Sequence, residues 1–401
     1  MNILVFNCGS SSLKYKLITI PEEKEIAGGE AQRVGPPTAE PSRILHRVNG
    51  EETTHIVEMR DHGSAFDEVM KILSKDPKMI PDAIGHRMVH GGSIFKGHAR
   101  LSETVISDLE SIQDMAPIHN PPAISLAKAT QSRYPDLPQV VVFDTAYHST
   151  IPEYASDYAL PEKLRIDMGI RKYGFHGTSH NYVASEAAKF LDIPFEKLNA
   201  VSCHLGSGGA SLCAIKNGKS IDNTMGYSPL QGLVMSTRCG DLDPAIALKL
   251  LSKSNGDYKA VENLLNKQSG VLGLTGSTAD IRDVLSELSN EEEFNEQMNL
   301  TAQVYLWRIR KYLGAYLTVV GNAKAVIFTD TIGETVPEVR KLVCSNMETF
   351  GLVMDNNKNR NVDYMPVDVA ARESLVRILI IQTNEELAIA RQTYDIVKKA
   401  A

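Results

Sequence analysis

A short apolar run, a tip of glycine and serine, and a second, alternating run occur near the start of the chain and again near its middle. Residues 3–6 read as a buried strand, Cys8-Gly9-Ser10-Ser11-Ser12 as the tip, and residues 13–20 as the returning strand. Residues 200–204, 206–210 and 211–215 repeat that order, and laying Gly9-Ser10 on Gly206-Ser207 aligns both strands at an offset of 197 residues. One copy per half predicts a duplicated domain, with two unrelated β-hairpins as the competing reading. Helical periodicity at 65–73, 105–114, 122–132, 179–191, 244–251, 299–320 and 384–399 alternates with strands at 139–144, 201–204 and 325–329. The expectation is an α/β fold of two domains with parallel strands at the sheet centres. The first would run from 1 to 148, completed by 385–401, and the second from 149 to 384. Residues 28–43 and 354–364 read as polar connections, and the acidic stretch 286–296 as a solvated helix face or loop.

Charge narrows the function. With 42 Lys and Arg against 49 Asp and Glu, a net charge of −7 and no basic run, the chain lacks the footprint of a nucleic-acid or anionic-membrane binder. No basic, apolar leader pattern opens it, and its most apolar stretch, 375–381, is short and broken by Arg377. Cys8, Cys203, Cys213, Cys239 and Cys344 are scattered without a CxxC pair, which predicts reduced thiols and a cytoplasmic protein.

The two tips carry the first functional signal. Small residues such as Ser10, Ser12, Gly206, Ser207 and Gly208 let backbone N–H groups and hydroxyls approach a phosphate without β-carbon clashes. A phosphate cleft between two halves is the expectation; ordinary tight turns are the alternative. There is no Walker A sequence and no GxGxxG fingerprint, which disfavours a P-loop NTPase or a simple Rossmann dehydrogenase. Eight of the eleven histidines fall between His86 and His204. The spacings His86/His90 and His176/His180 could ligate a metal, but neither carries the Glu of HExxH, and hydrogen-bonded structural histidines are the alternative. Arg87 and Arg238 lie in glycine-rich surroundings, where a guanidinium can fork onto phosphate oxygens, against the alternative of a structural ion pair. Asp144 ends the apolar run 140–143, where open α/β sheets place functional groups; a helix N-cap is its other reading.

Seven segments together resemble the acetate kinase family, in order, over essentially the whole chain: Asn7-x-Gly9-Ser10-Ser11-Ser12-x-Lys14, Gly85-His86-Arg87-x-Val89-His90-Gly91-Gly92, His119-Asn120-Pro121-Pro122, Phe143-Asp144-Thr145-Ala146, Tyr173-Gly174-Phe175-His176-Gly177-Thr178-Ser179-His180, Thr237-Arg238-x-Gly240 and Thr383-Asn384-Glu385-Glu386-Leu387. The resemblance implies two RNase-H-like domains in the actin-like ATPase architecture, with the active site in the interdomain cleft. It also implies a homodimer that interconverts acetate and ATP with acetyl phosphate and ADP, using Mg²⁺ or Mn²⁺. It places Asn7, Asp144 and Glu385 around the metal and the acetate, Arg87 and Arg238 on the carboxylate and the transferring phosphoryl, and His176 against the phosphoryl oxygens with His119 nearby. Val89, Ile118, Phe175 and Pro229 correspond to the walls of the methyl pocket.

On the donor side the resemblance implies phosphate and nucleotide contacts from Ser10, Ser12, Lys14, His204, Gly206, Ser207, Gly208, Asp280, Ile281, Arg282, Thr331, Ile332, Gly333 and Glu334. Here the chain departs from the family. Members using ATP usually read Phe-Thr-Ala/Gly-Gly-Ile-Gly-Glu-Asn where this chain has Phe328-Thr329-Asp330-Thr331-Ile332-Gly333-Glu334-Thr335, and asparagine is usual at position 207. Thr331 in place of glycine is expected to crowd adenosine, and to strain the loop if the backbone there needs φ > 0. Pyrophosphate as donor, a propionate-preferring kinase and a phosphate-binding module without turnover are the alternatives.

Overall fold

Two compact units make up the computed structural model, Met1–Ala146 with Asn384–Ala401, and Tyr147–Thr383. It describes residues 1–36, 39–288 and 295–400. Residues 289–294 of the acidic stretch, and Pro37 and Thr38 of the connection expected at 28–43, lie outside the described residues.

In the first unit β1 (Asn2–Cys8), β2 (Ser12–Thr19), β3 (Lys24–Gln32), β4 (Arg43–Val48), β5 (Glu51–Ile56), β6 (Ala83–Met88), β7 (Ala99–Arg100) and β8 (Gln139–Phe143) form one sheet in the order β5-β4-β3-β2-β1-β6-β8-β7. β1, β6 and β8 run parallel. Consecutive residues are buried along each of them, His86 of β6 included, because a central parallel strand is covered on both faces. Leu4, Phe6, Leu13, Tyr15 and Leu17 pack with Ala65, Phe66, Val69 and Leu73 of α1 (His62–Leu73), whose start is closed by a reciprocal Asp61–Ser64 capping box. The C-terminal helix, Glu385–Ala400, closes on β6. A β-carbon on Gly85 would sit 2.6 Å from Thr393 Oγ1 and 2.8 Å from Ile389 Cγ2, so glycine is required there for the helix to come so near.

Residues 28–32, expected as part of a connection, are instead the end of β3. Their glycines serve packing: a β-carbon on Gly29 would meet the Tyr15 ring at 2.7 Å. Within 354–364 the chain forms a short helix, Asn356–Arg360, capped by Asp355. β4 and β5 lie at the sheet edge, and β5 is mostly exposed, so no apolar alternation announces it.

The second unit holds β9 (Ala200–Leu205), β10 (Ala210–Lys216), β11 (Lys219–Asn223), β12 (Ala325–Thr329), β13 (Val367–Asp368) and β14 (Arg377–Ile380) in the order β11-β10-β9-β12-β14-β13, with β9, β12 and β14 parallel. Two further helices are needed below: α2 (Asn120–Arg133) in the first unit and α3 (Gly177–Phe190) in the second. Val183, Ala184 and Ala187 of α3 cover Ala200, Cys213, Ile215, Ala325 and Leu379 of the sheet.

Each sheet therefore contains the same run of third, second and first strand followed by two parallel strands. The hairpins also share a register. Asn7 opposes Lys14 and Cys8 opposes Leu13 in the first, while His204 opposes Ser211 and Leu205 opposes Ala210 in the second. Both pairs are related by the offset of 197, so the duplication read from the sequence holds at the level of individual strand partners.

Candidate active site

In the first unit the carboxyl ends of the three parallel strands, where open α/β sheets bind ligands, carry Asn7, Arg87 and Asp144. Arg87 grips Asp144 through two nitrogens, with Nη2 2.8 Å and Nε 3.2 Å from Oδ2, and its Nη1 lies 3.3 Å from Glu385 Oε2 at the start of the C-terminal helix. Asp144 is 2% exposed. Burial opposes the charge of Arg87, but the two carboxylates outweigh it and its pKa is raised. The loop beyond β6 is fixed by two residues that sequence reasoning did not single out. Asn120 donates to the His90 carbonyl at 2.9 Å and accepts from its N–H, and Thr145 Oγ1 accepts from Gly91 N at 3.1 Å. Both lie in segments quoted above for the family resemblance, which assigned them no role. Val89 is half-buried beside Arg87, Ile118 is exposed, and His119 caps α2. Ser10 and Lys14 are exposed, with Lys14 across from Asn7, and Ser12 is half-buried where its carbonyl closes the tip on Gly9 N at 2.9 Å.

In the second unit the glycine tip after β9 is ringed by polar side chains. His176 starts α3 in the left-handed conformation (φ 57), which turns its ring onto His204 with centroids 4.1 Å apart, and its Nδ1 lies 2.8 Å from Ser211 Oγ. A β-carbon on Gly209 would sit 3.4 Å from His176 Nε2 and 3.5 Å from Arg238 Nη1, so the imidazole and the guanidinium both border the tip. Arg238 has neutral neighbours, the Pro229 carbonyl at 3.3 Å and Met235 Sδ at 3.7 Å, and makes no ion pair among the described residues. Burial lowers its pKa, the signature of a desolvated cation without a counter-charge. Ser236 Oγ donates to the Ser207 carbonyl of the tip, and Phe175, buried, precedes His176.

Among the other donor-side candidates, Arg282 pairs with Asp280 through Nε at 2.9 Å, while Ile281, Ile332 and Gly333 are buried. Glu334 Oε1 accepts from Asp330 N at 2.8 Å and from Thr383 N at 3.0 Å, bracing the loop. The left-handed residue here is Asp330 (φ 62) and not Thr331. The backbone strain considered for Thr331 therefore does not arise, and its hydroxyl turns back onto Asp330 Oδ1 at 3.0 Å. Asp330 Oδ2 in turn lies 2.9 Å from His204 Nε2, a pairing no local sequence pattern marks.

The His-x3-His spacings serve hydrogen bonding. His180 spends Nδ1 on Ser202 Oγ at 2.9 Å and Nε2 on Ser211 Oγ at 2.8 Å, His86 Nε2 meets Gln139 Oε1 at 2.9 Å, and His90 Nδ1 accepts from Gly92 N at 2.8 Å. Burial pushes His86 down to about 4 and His180 well below the usual range. Among the described residues no group of three or more His, Cys, Asp or Glu is set to hold a metal, and no helix is long and apolar enough to cross a membrane.

Comparison with known proteins adds an independent line. The model of the acetokinase family matches residues 2–391. A curated acetate kinase of Alkaliphilus metalliredigens is 44% identical over 404 residues, covering 99% of this chain and all of that protein. The crystal structure of Porphyromonas gingivalis acetate kinase superposes with a TM-score of 0.91 at 37% identity, covering 99% of each chain. A propionate kinase from Francisella tularensis superposes with a TM-score of 0.88 at 35% identity, over 98% of this chain and 99% of that one.

Proposed function

The chain belongs to the acetokinase family, and from that membership we propose that it moves a phosphoryl group between ATP and acetate, with acetyl phosphate and ADP as products. It is a phosphotransferase with a carboxyl group as acceptor. The observation that carries the reading is Arg87, held by two carboxylates at the strand ends of the first unit, together with Arg238 and His176 bordering a glycine tip in the second.

A guanidinium has five N–H donors. Asp144 and Glu385 engage three and fix its plane, leaving two to take oxygens of the acetate or of the phosphoryl group. Arg238 and His176 are the candidates to receive the donor's phosphate oxygens on the second unit. In-line transfer from a diphosphate to a carboxylate leaves little covalent work, so the two guanidiniums, with the His176 imidazole beside Arg238, would stabilise the charge spread over the equatorial oxygens.

Asn7, Asp144 and Glu385 offer an amide and two carboxylates, an all-oxygen donor set that suits a hard Mg²⁺ or Mn²⁺ and not zinc. Such an ion neutralises phosphate charge when bound. Val89 and Ile118 on the first unit, and Phe175 and Pro229 on the second, are each apolar candidates to meet the acetate methyl. One methylene there is worth only ~1–3 kcal/mol, so propionate is the alternative acceptor.

A coupled assay for acetyl phosphate, run with ATP and with pyrophosphate in parallel, tests the donor. Turnover is expected with ATP, only when Mg²⁺ or Mn²⁺ is added, and with a loose ATP half-saturation because Asp330, Thr331 and Ser207 depart from the usual donor side. Turnover with pyrophosphate alone would move the donor assignment to pyrophosphate, and a requirement for tightly bound zinc would reverse the metal assignment.

We also read the protein as a cytoplasmic homodimer. Its five cysteines form no disulfide, which suits a reducing compartment. Leu160, Leu164, Ile166, Met168 and Leu248 of the second unit are exposed apolar side chains of the kind a self-association surface buries. Light scattering should return twice the chain mass; a monomeric mass at micromolar concentration would refute the dimer.

A further inference from the structure

The Asp330 carboxylate rests in a nest of donors that resembles a phosphate site more than a structural ion pair. One oxygen, Oδ2, lies 2.9 Å from His204 Nε2. The other, Oδ1, accepts from the N–H of Thr331 at 2.6 Å and from its hydroxyl at 3.0 Å. Oδ2 also lies against the glycine tip, since a β-carbon on Gly206 would come within 2.5 Å of it. Three donors and a glycine surface therefore surround two anionic oxygens, at the carboxyl ends of β9 and β12, where the fold places a phosphate.

His204 has no capacity to spare while this lasts. Its Nδ1 is engaged with Ser179 Oγ at 2.9 Å, which meets Thr383 Oγ1 at 2.8 Å. His204 opposes Ser211 in the hairpin register, and Ser211 Oγ is engaged in turn by His176 Nδ1. The one nitrogen of His204 directed at the tip is the one that Asp330 takes.

We propose that Asp330 is an internal stand-in for a donor phosphate: it occupies His204 Nε2 and covers the Gly206 tip, and a phosphoryl donor must displace it to bind. The proposal rests on the phosphotransferase reading and deepens it, assigning to this chain a self-filled phosphate subsite that sets how tightly any phosphoryl donor is held.

Three features fit that role. A left-handed aspartate is tolerated, at a small cost that glycine would not incur, so its backbone conformation alone does not demand the side chain. The carboxylate is ionised at neutral pH. Burial would raise its pKa, but the His204 hydrogen bond and charge and the Thr331 bonds outweigh that and hold it at about 2. Arg238 and His176 border the tip on the side of Gly209, where they are placed to draw an incoming anion towards the contacts Asp330 would release.

The test uses the full chain and inorganic pyrophosphate as probe. Asp330→Asn and Asp330→Gly both suit a left-handed backbone, and thermal unfolding confirms that each is folded. Titration calorimetry should show pyrophosphate binding ~10-fold or more tighter in Asp330→Gly than in the native chain. A like charge ~4 Å away at an effective dielectric of about 20 is worth ~10³-fold, so ~10-fold is the least its removal should give. Asp330→Asn should also bind tighter. In the native chain, pyrophosphate should shift the His204 ring ¹⁵N resonances as one anion replaces the other. Equal or weaker pyrophosphate binding in both variants would overturn the proposal, because Asp330 would then be supporting His204 and not competing for it. Acetyl phosphate formation is measured separately. Its absence from every form with either donor would sink the phosphotransferase reading, while the binding comparison would still decide the role of Asp330.

Discussion

Replacing Arg87 with alanine is expected to lower kcat by ~10²-fold or more, and Arg238→Ala by a similar factor, because each removes a cation placed to offset transition-state charge. The two variants should part company in stability. Arg87 is shared by Asp144, 2% exposed, and Glu385, so its loss takes a cation away from two carboxylates at once; removing one partner of a buried pair costs ~3–5 kcal/mol when the site is fully buried, and somewhat less here. Among the described residues Arg238 meets neutral acceptors and no carboxylate, so its loss uncovers no charge there and the melting temperature should hardly move. Arg87→Lys keeps the charge without the fork and should recover stability before turnover. Steady-state kinetics with thermal unfolding on the same preparations decide the matter. Near-normal kcat in either alanine variant would remove that arginine from the site.

The second large effect is structural. Arg340 is 1% exposed and donates from Nη1 to the Gly333 and Glu334 carbonyls at 2.9 Å, from Nε to Asn359 Oδ1 at 2.7 Å and from Nη2 to the Asn359 carbonyl at 2.9 Å. It thereby ties the short helix after β12 to the segment 356–360. Arg340→Met would keep much of the volume and strand these acceptors, each costing ~1–3 kcal/mol when buried unpaired. A loss of ~3 kcal/mol or more is expected in denaturant titration. Burial pushes the guanidinium down to about 10, from an ordinary value near 12.5. A cation with a depressed folded pKa weakens the fold wherever it stays charged, and that penalty fades only as pH rises through about 10. Folded and unfolded chains alike carry the charge between pH 6 and 9, so the loss should be constant across that window. A midpoint unchanged from the native chain would show that the acceptors find other partners.

Legibility in the sequence followed the range of the forces involved. The hairpins were readable because period-two burial and a glycine-serine tip are local, and their recurrence survives as an identical strand register. Arg87 was readable from its glycine-rich surroundings and Asp144 from the apolar run it ends, and their strands become parallel neighbours. Asp330 was visible as a departure from the family's usual donor-side residues, but its pairing with His204 was not, since that partner is brought near by the parallel pairing of β12 with β9, in which Thr329 meets His204. Arg340 was equally silent: one arginine on an amphipathic helix normally faces water, and this one is buried because the segment around Asn359 folds over it. The edge strands β4 and β5, polar and partly exposed, gave no period to detect. Gly28 and Gly29 misled because glycine marks loops and close packing alike.

The C-terminal helix that closes on Gly85 and delivers Glu385 to Arg87 belongs to the first unit, yet it is joined to Ala146 only through the whole of Tyr147–Thr383. On a ribosome adding ~5–20 residues per second, roughly ten to fifty seconds pass between emergence of the β8 end and arrival of that helix. For that interval the apolar side of β6 that Ile389 will cover is bare, and Arg87 has one of its two carboxylates. The unit whose synthesis begins first is thus the last to be closed, after all of the second has been made.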